Sequence, residues 1–361
     1  MARLLTTGFE LGEVIEHNAA ASLTNTSVQD SYARTGTYAW RIPSSSSPKY
    51  FSHSITSNPQ ELYIRLAVMF RELGTGSPND PAVYQAFVAL IDSGVVHLSV
   101  VLDPDTMRLH LLRGATGTLG HSGGIDLGIG SAVLRMNAWY VVELYAKIAN
   151  SGGAATVKVN NTTDIGVTDT DTAASSNEYI SVVRFGESQP TNIHTWHEIY
   201  LDDIAINDTT GSYQNSWIGQ GGVYLLKPDG DGATTDWTPS AGSVHYEMVD
   251  EVPDDASTTY ITAGTAGHID LFDLGALPAT VATIDMVQPV YQTTLEEAGF
   301  NQIRDVLRAN GTNYAGPTQN VTSEEPDYIF YAGSVCYTVP GGTAAWGTAD
   351  VNALQIGVEV V

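Results

Sequence analysis

Residues 200–219, "YLDDIAINDTTGSYQNSWIG", open as a buried strand in which Ile204 and Ile206 alternate with short polar side chains, and then enter a turn. Asp208 in "NDTTG" suits that turn, because its carboxylate can accept backbone N–H bonds. Beyond it the character changes: Gly219, Gly221 and Gly222 lead into "KPDGDGATTDWTPSAGS", residues 227–243. The stretch is either an acidic metal loop within one enzyme or the seam between two modules. We read 200–219 as the last strand of one sandwich running into a linker, and "PDGDG" as a turn in a second module. Domains are therefore expected at 1–211 and 212–361.

Upstream, period-two alternation dominates. "TYAWRI" (37–42), "ELYIRLAVMF" (61–70), "YQAFVALID" (84–92), "VVHLSVVLD" (95–103) and "MRLHLLRG" (107–114) each read as a strand closed by turn residues. "WYVVELYAKIA" (139–149), "ATVKVNN" (155–161), "ISVVRFGE" (180–187) and "HEIYLDDIAIND" (197–208) continue the series. Short polar connections and the lack of a convincing helix argue for an antiparallel sandwich. The loop Ser151-Gly152-Gly153 predicts a hairpin, with Val157 and Val159 packed beside Val142, Leu144 and Ala146.

Downstream the pattern restarts. Strands are expected at 221–228, 244–251, 258–264, 268–274, 279–294, 328–339 and 353–361, a second all-β, sandwich-like unit. In 295–314, Leu295, Ile303, Val306 and Leu307 approach helical spacing, yet Ile303, Asp305 and Leu307 alternate. We read 300–308 as a strand turning at Asn310-Gly311, a strong hairpin signal.

Fifteen Lys and Arg against 40 Asp and Glu give a formal charge of −25. A field of that sign repels phosphate and anionic lipid, which argues against nucleic acid and membrane surfaces as partners. The single cysteine, Cys336, excludes an internal disulfide and sits in an alternating apolar run. The opening "MARLLTTGFELGE" has no apolar stretch of signal-peptide length, and no window approaches the ~18 apolar residues of a spanning helix. Synthesis in a reducing cytosol is expected.

Candidate chemistry is sparse. Asp229, Asp231 and Asp236 share one glycine-rich loop, and Asp202 and Asp203 are adjacent, so calcium is the ion to consider at either place. The spacing of "PDGDGATTD" fails the EF-hand order, with Ala233 at its fifth position. "HEIYLDD" puts Glu198 near Asp202 and Asp203 without the second glutamate that a jelly-roll glycosidase carries. "HTWHE" (194–198) spaces its histidines three apart, which does not match a helical zinc motif. No catalytic residues are assigned, and the expectation is of a protein that is not an enzyme. Eighteen Tyr and six Trp leave room for sugar stacking. Trp139, Trp196, Trp217 and Trp237 lie near strand ends or turns and are the interface or glycan candidates, whereas Trp40 and Tyr200 read as core.

Two passages carry a resemblance. "GFELG", "ARTGTYAWRI", "WYVVELYAKI…VKVNN" and "YLDDIAINDTTG" resemble the concanavalin A-like or laminin-G-like jelly roll of phage-encoded virion proteins. "DDIAINDTTGSYQNSWIG…VYLLKPDGDGATTDWTPSAGSVHYEMVDE", with "AAWGTADVNALQIGVEVV", is similar to a family of tailed-phage virion structural proteins that joins this jelly roll to a C-terminal β-domain. The resemblance implies a virion component, tail- or capsid-associated, that acts by assembly and surface display. Its implied partners are sister chains in a homo-oligomer, with a trimer expected, and other virion proteins. A glycan-binding module of the adsorption apparatus, contacting a host surface glycan, is the main alternative; a jelly-roll glycoside hydrolase is the second.

Overall fold

The computed structural model describes residues 3–14, 20–22, 26–43, 49–72, 85–114, 124–187, 198–255, 258–295, 300–322 and 329–361. The chain divides into two compact units, Met1–Tyr224 and Leu225–Val361. Both are built of antiparallel strands, so the all-β expectation is met.

The first unit is a sandwich of two sheets. Sheet I has eight strands, in the order Thr162–Thr170, Gly153–Val159, Trp139–Lys147, Glu61–Glu72, Glu198–Asp208, Ala39–Ile42 and Ser27–Gln29, with Arg3–Thr7 also on Glu198–Asp208. Sheet II has seven: Ile125–Ile129, Arg108–Arg113, Val95–Asp103, Gln85–Asp92, Val182–Glu187, Lys49–Ser54 and Ala20–Ser22. The central strand of sheet I turns Leu62, Ile64, Leu66, Val68 and Phe70 inward, where they meet Val88, Leu90, Leu98 and Val100 of sheet II in one core. Fully burying such a side chain contributes about 1.5–3 kcal/mol. Phe70 meets Phe87 edge to face at 5.9 Å, which ties the sheets together in the middle.

The expected hairpin forms. Val142 faces Val159, Leu144 faces Val157 and Ala146 faces Ala155, and Gly152 supplies the left-handed turn position at φ 69°. Thr162–Thr170, "TTDIGVTDT", is an edge strand that the sequence reading missed, since only Ile165 is buried in the core, with Val167 partly buried against it. Asp208 accepts the Thr210 amide and hydroxyl, as its turn requires. The boundary expected after Gly211 falls instead between Tyr224 and Leu225. The intervening chain bonds into the first unit: the Ile218 and Gly219 amides donate to Glu143 on sheet I, and the Val223 amide to Asp203.

The second unit holds a six-stranded sheet III, in the order Pro228–Thr235, Ile269–Leu274, Gln355–Val360, Gln302–Ala309 and Thr312–Ala315, with Gln319–Asn320 also on Gln302–Ala309. Two-stranded ribbons pair Thr238–Pro239 with Ile261–Thr262 and Val290–Thr293 with Ile329–Ala332. The strand reading of 300–308 and the Asn310-Gly311 turn both hold, with φ of 51° and 77° at the turn residues. Other expectations are corrected. "PDGDG" is not a turn but part of a strand, and no strand covers 221–227. Residues 244–251 contain a 3-10 turn, Tyr246–Met248, because Asp231 caps the His245 and Tyr246 amides.

Candidate functional site

Strand Val95–Asp103 lies inside sheet II, between Gln85–Asp92 and Arg108–Arg113. Leu98, Val100 and Leu102 enter the core, so the period of two turns His97, Ser99 and Val101 to the opposite face. There Ala86, Val101 and Leu112 make a small apolar cluster of their own. Strand register sets Asp126, Leu112, Ser99, Ala89, Arg184 and Ser52 side by side in one row across this face. Ala89, Ser99 and Ser52 are short; Arg184 and the adjacent Tyr50 are long.

The polar groups of this face are oriented but incompletely used. The Ala174 amide donates to His97 Nδ1 at 3.0 Å, so the neutral ring carries its proton on Nε2. Burial holds the His97 pKa below its ordinary value; Asp92 opposes that effect and Arg113 adds to it. His97 Nε2 and Ser99 Oγ are buried and have no hydrogen-bond partner among the described residues. A buried polar group left in that state costs about 1–3 kcal/mol. Behind His97, Asp92 accepts Asn177 Nδ2 at 2.6 Å and Ser181 Oγ at 3.1 Å.

Arg184 is half-buried. Its Nε donates to Ser52 Oγ at 3.1 Å, and its guanidinium carbon lies 4.0 Å from the centre of the Tyr50 ring. No acidic side chain pairs with it among the described residues. Burial lowers its pKa, with Tyr50 opposing. At the far end of the face His110 Nδ1 is 2.7 Å from Asp126 and its Nε2 is 3.7 Å from Asp103. The centre of the face therefore holds N–H and O–H donors that lack acceptors among the described residues, those of His97 and Ser99 without solvent exposure and that of Arg184 half-buried.

The residues singled out from sequence fall elsewhere. Asp203 sits at φ 50° in a bulge of Glu198–Asp208, so strand alternation does not separate it from Asp202 as expected. Asp202 accepts the amides of Arg34 (2.8 Å), Thr35 (3.3 Å) and Asp203 (2.7 Å). Asp203 accepts Arg34 Nη1 at 2.5 Å, the Thr35 hydroxyl at 2.5 Å and the Val223 amide at 2.7 Å. Both carboxylates are committed to protein donors, one of them a cation, so the pair does not fit calcium. Asp229 and Asp231 point outward from their strand, and Asp231 caps the 3-10 turn. Among the described residues no three His, Cys, Asp or Glu side chains gather as an ion would need. Glu198 accepts Arg41 and Tyr200 instead of facing a second carboxylate.

Trp217 packs against Tyr63 at 5.3 Å and Tyr145 at 6.3 Å, with Lys158 Nζ 3.6 Å from its ring centre. It pins 212–223 to sheet I. Trp237 is in the second unit, its indole donating to the His268 carbonyl at 3.2 Å. Trp139 begins its strand opposite Met69, half-buried. Trp196, with His194 and His197, lies outside the described residues. The four tryptophans therefore define no common surface among the described residues. His97, Ser99 and Arg184 were not singled out. For His97 and Ser99 the signal was two polar side chains spaced two apart in "VVHLSVVL" (95–102), a run otherwise apolar on both faces; Arg184 carried none.

No family model matches the chain, and no curated protein matches it. Among solved structures it is similar to an endo-β-1,4-glucuronan lyase from the fungus Trichoderma reesei, at 13% identity and TM-score 0.40 over 57% of this chain and 95% of that one. A carbohydrate esterase from the Shiga toxin-encoding bacteriophage phi24B gives 14% identity and TM-score 0.34 over 56% and 99%. A carbohydrate-binding module from Bacillus subtilis gives 8% and 0.31 over 53% and 98%. With a lyase and an esterase among these structures, the expectation that the chain is not an enzyme is withdrawn. That expectation had tested only a few motifs, each belonging to one particular chemistry. No residue role is transferred from these proteins.

Proposed function

We propose that this protein is a saccharide-recognising component of a tailed-phage particle, with the outer face of sheet II as its contact surface. The observation that carries the reading is the pair of buried, unpartnered groups on one strand, His97 Nε2 and Ser99 Oγ, in register with Arg184. Sugar hydroxyls and ring oxygens supply the acceptors and donors that these groups lack, and a Tyr50 ring already stacked on one side gives the face an amphipathic edge. The phage setting rests on the resemblance in 200–251 and 344–361. Self-association and contact with other virion proteins belong to the same reading. Ile125, Ile129 and Val133, all more than half exposed, are apolar side chains that an assembly would cover.

A glycan array probed with the labelled full chain tests the recognition. Wild type should select a subset of saccharides, and Ser99→Ala should weaken that signal without lowering the melting temperature, because the hydroxyl has no protein partner to lose and its burial is itself a cost. Uniform, featureless binding by wild type would count against the reading. The setting is tested separately by locating the chain in a density map of the intact particle.

A further inference from the structure

Resting on that saccharide reading, we infer that the sugar bound on sheet II carries a carboxylate, and that Arg184 is the residue that pairs with it. The chain has 40 acidic and 15 basic side chains. Four arginines of the described residues pair with acidic side chains, Arg34 with Asp203, Arg41 with Glu198, Arg113 with Asp171 and Arg304 with Glu359. Arg184 is half-buried, yet it has only a serine hydroxyl and a tyrosine ring for company among the described residues.

Those two contacts fix the guanidinium plane. Nε is held by Ser52, and one flat side is held by Tyr50, which leaves the edge formed by Nη1 and Nη2 to present two parallel N–H bonds. A planar carboxylate matches that fork. The rest of the row agrees. His97 is neutral with its proton on Nε2, and Ser99 has a free hydroxyl, so the buried centre of the face beside Arg184 holds donors and, among the described residues, no carboxylate. Partial burial strengthens the pairing, since a guanidinium already stripped of water is screened less than a surface one.

The test is calorimetric titration of the full chain with a panel of oligouronates and with the methyl esters of the same oligomers, which keep the rings and remove the charge. At least one acid should bind tenfold or more tighter than its ester. Arg184→Gln should erase that preference, bringing the affinities for acid and ester together, and Arg184→Lys should recover only part of it. As a readout that needs no variant, the Arg184 Nε–H resonance of wild type should shift with the acid and not with the ester. Equal binding of acid and ester, or of neutral sugars alone, overturns this inference and leaves saccharide recognition standing. No binding by any acidic or neutral saccharide overturns both.

Discussion

Asp305 lies on Gln302–Ala309 with no solvent exposure, and neither carboxyl oxygen has a hydrogen-bond partner among the described residues. It fits only because its neighbours lack side chains: a Cβ on Gly333 would stand 2.7 Å from its carboxyl carbon. Burial raises its pKa, and the amides of Asp305 and Ser334 oppose this without reaching hydrogen-bond geometry. Tyr291 beside it is also unpartnered and is raised by the same burial. A raised aspartate is stabilising in its protonated form. Its contribution is complete below the unfolded value, about 3.9, and is lost as pH rises through the folded value. Denaturant unfolding across pH 4 to 8 should therefore show wild type losing stability relative to Asp305→Asn as pH rises. A difference that is flat, or that grows in favour of wild type, would contradict the burial account. Asp270, also raised chiefly by burial, keeps a similar slope in the variant.

At the scale of elements, strands were legible where apolar side chains alternate, and "VVHLSVVLD" was read to the residue. Pro228–Thr235 was not, because its inward positions, Pro228, Gly230, Gly232 and Thr234, carry no large apolar side chain. Gly232 faces the Leu271 backbone, where a Cβ would come within 2.6 Å of the carbonyl, and Asp229 and Asp231 take the outward positions. Glycine and aspartate normally mark turns, so the period-two pattern carried no hydrophobic signal. The same sheet makes a sharper prediction at Gly357, whose Cβ would overlap the Asp270 carbonyl oxygen. Both partners are backbone, so Gly357→Ala should destabilise by about 3 kcal/mol or more. Gly166→Ala, at an open strand position, should lie within about 0.5 kcal/mol of wild type or be slightly stabilising. Comparable denaturation midpoints for the two variants would show that sheet III is looser than its packing implies.

For the whole molecule, the decisive feature is that 212–224 belongs to the first unit. Glu143 is buried, with Oε1 held at 3.0 Å and 2.8 Å by the Ile218 and Gly219 amides. Removing the segment strands that carboxylate and frees one side of Asp203, each loss costing about 1–3 kcal/mol. A fragment ending at Tyr224 should melt in one cooperative step, and one ending at Gly211 should melt at lower temperature or aggregate. Equal melting of the two fragments by calorimetry would show that the segment adds nothing. The field of −25 charges acts at this scale too, and added salt should raise the melting temperature by screening self-repulsion.

By itself the sequence determined the class of the fold, most strands of the sandwich, the Ser151–Gly153 and Asn310-Gly311 hairpins and the anionic character of the surface. These follow from local periodicity, turn conformation and composition, which need no knowledge of what packs against what. Tertiary structure decided the rest: that Asp202 and Asp203 are consumed by Arg34, Thr35 and Val223, that Trp217 fastens a segment, and that Ser99 and Arg184 share a row. Those partners are far apart along the chain, and strand order and register bring them together.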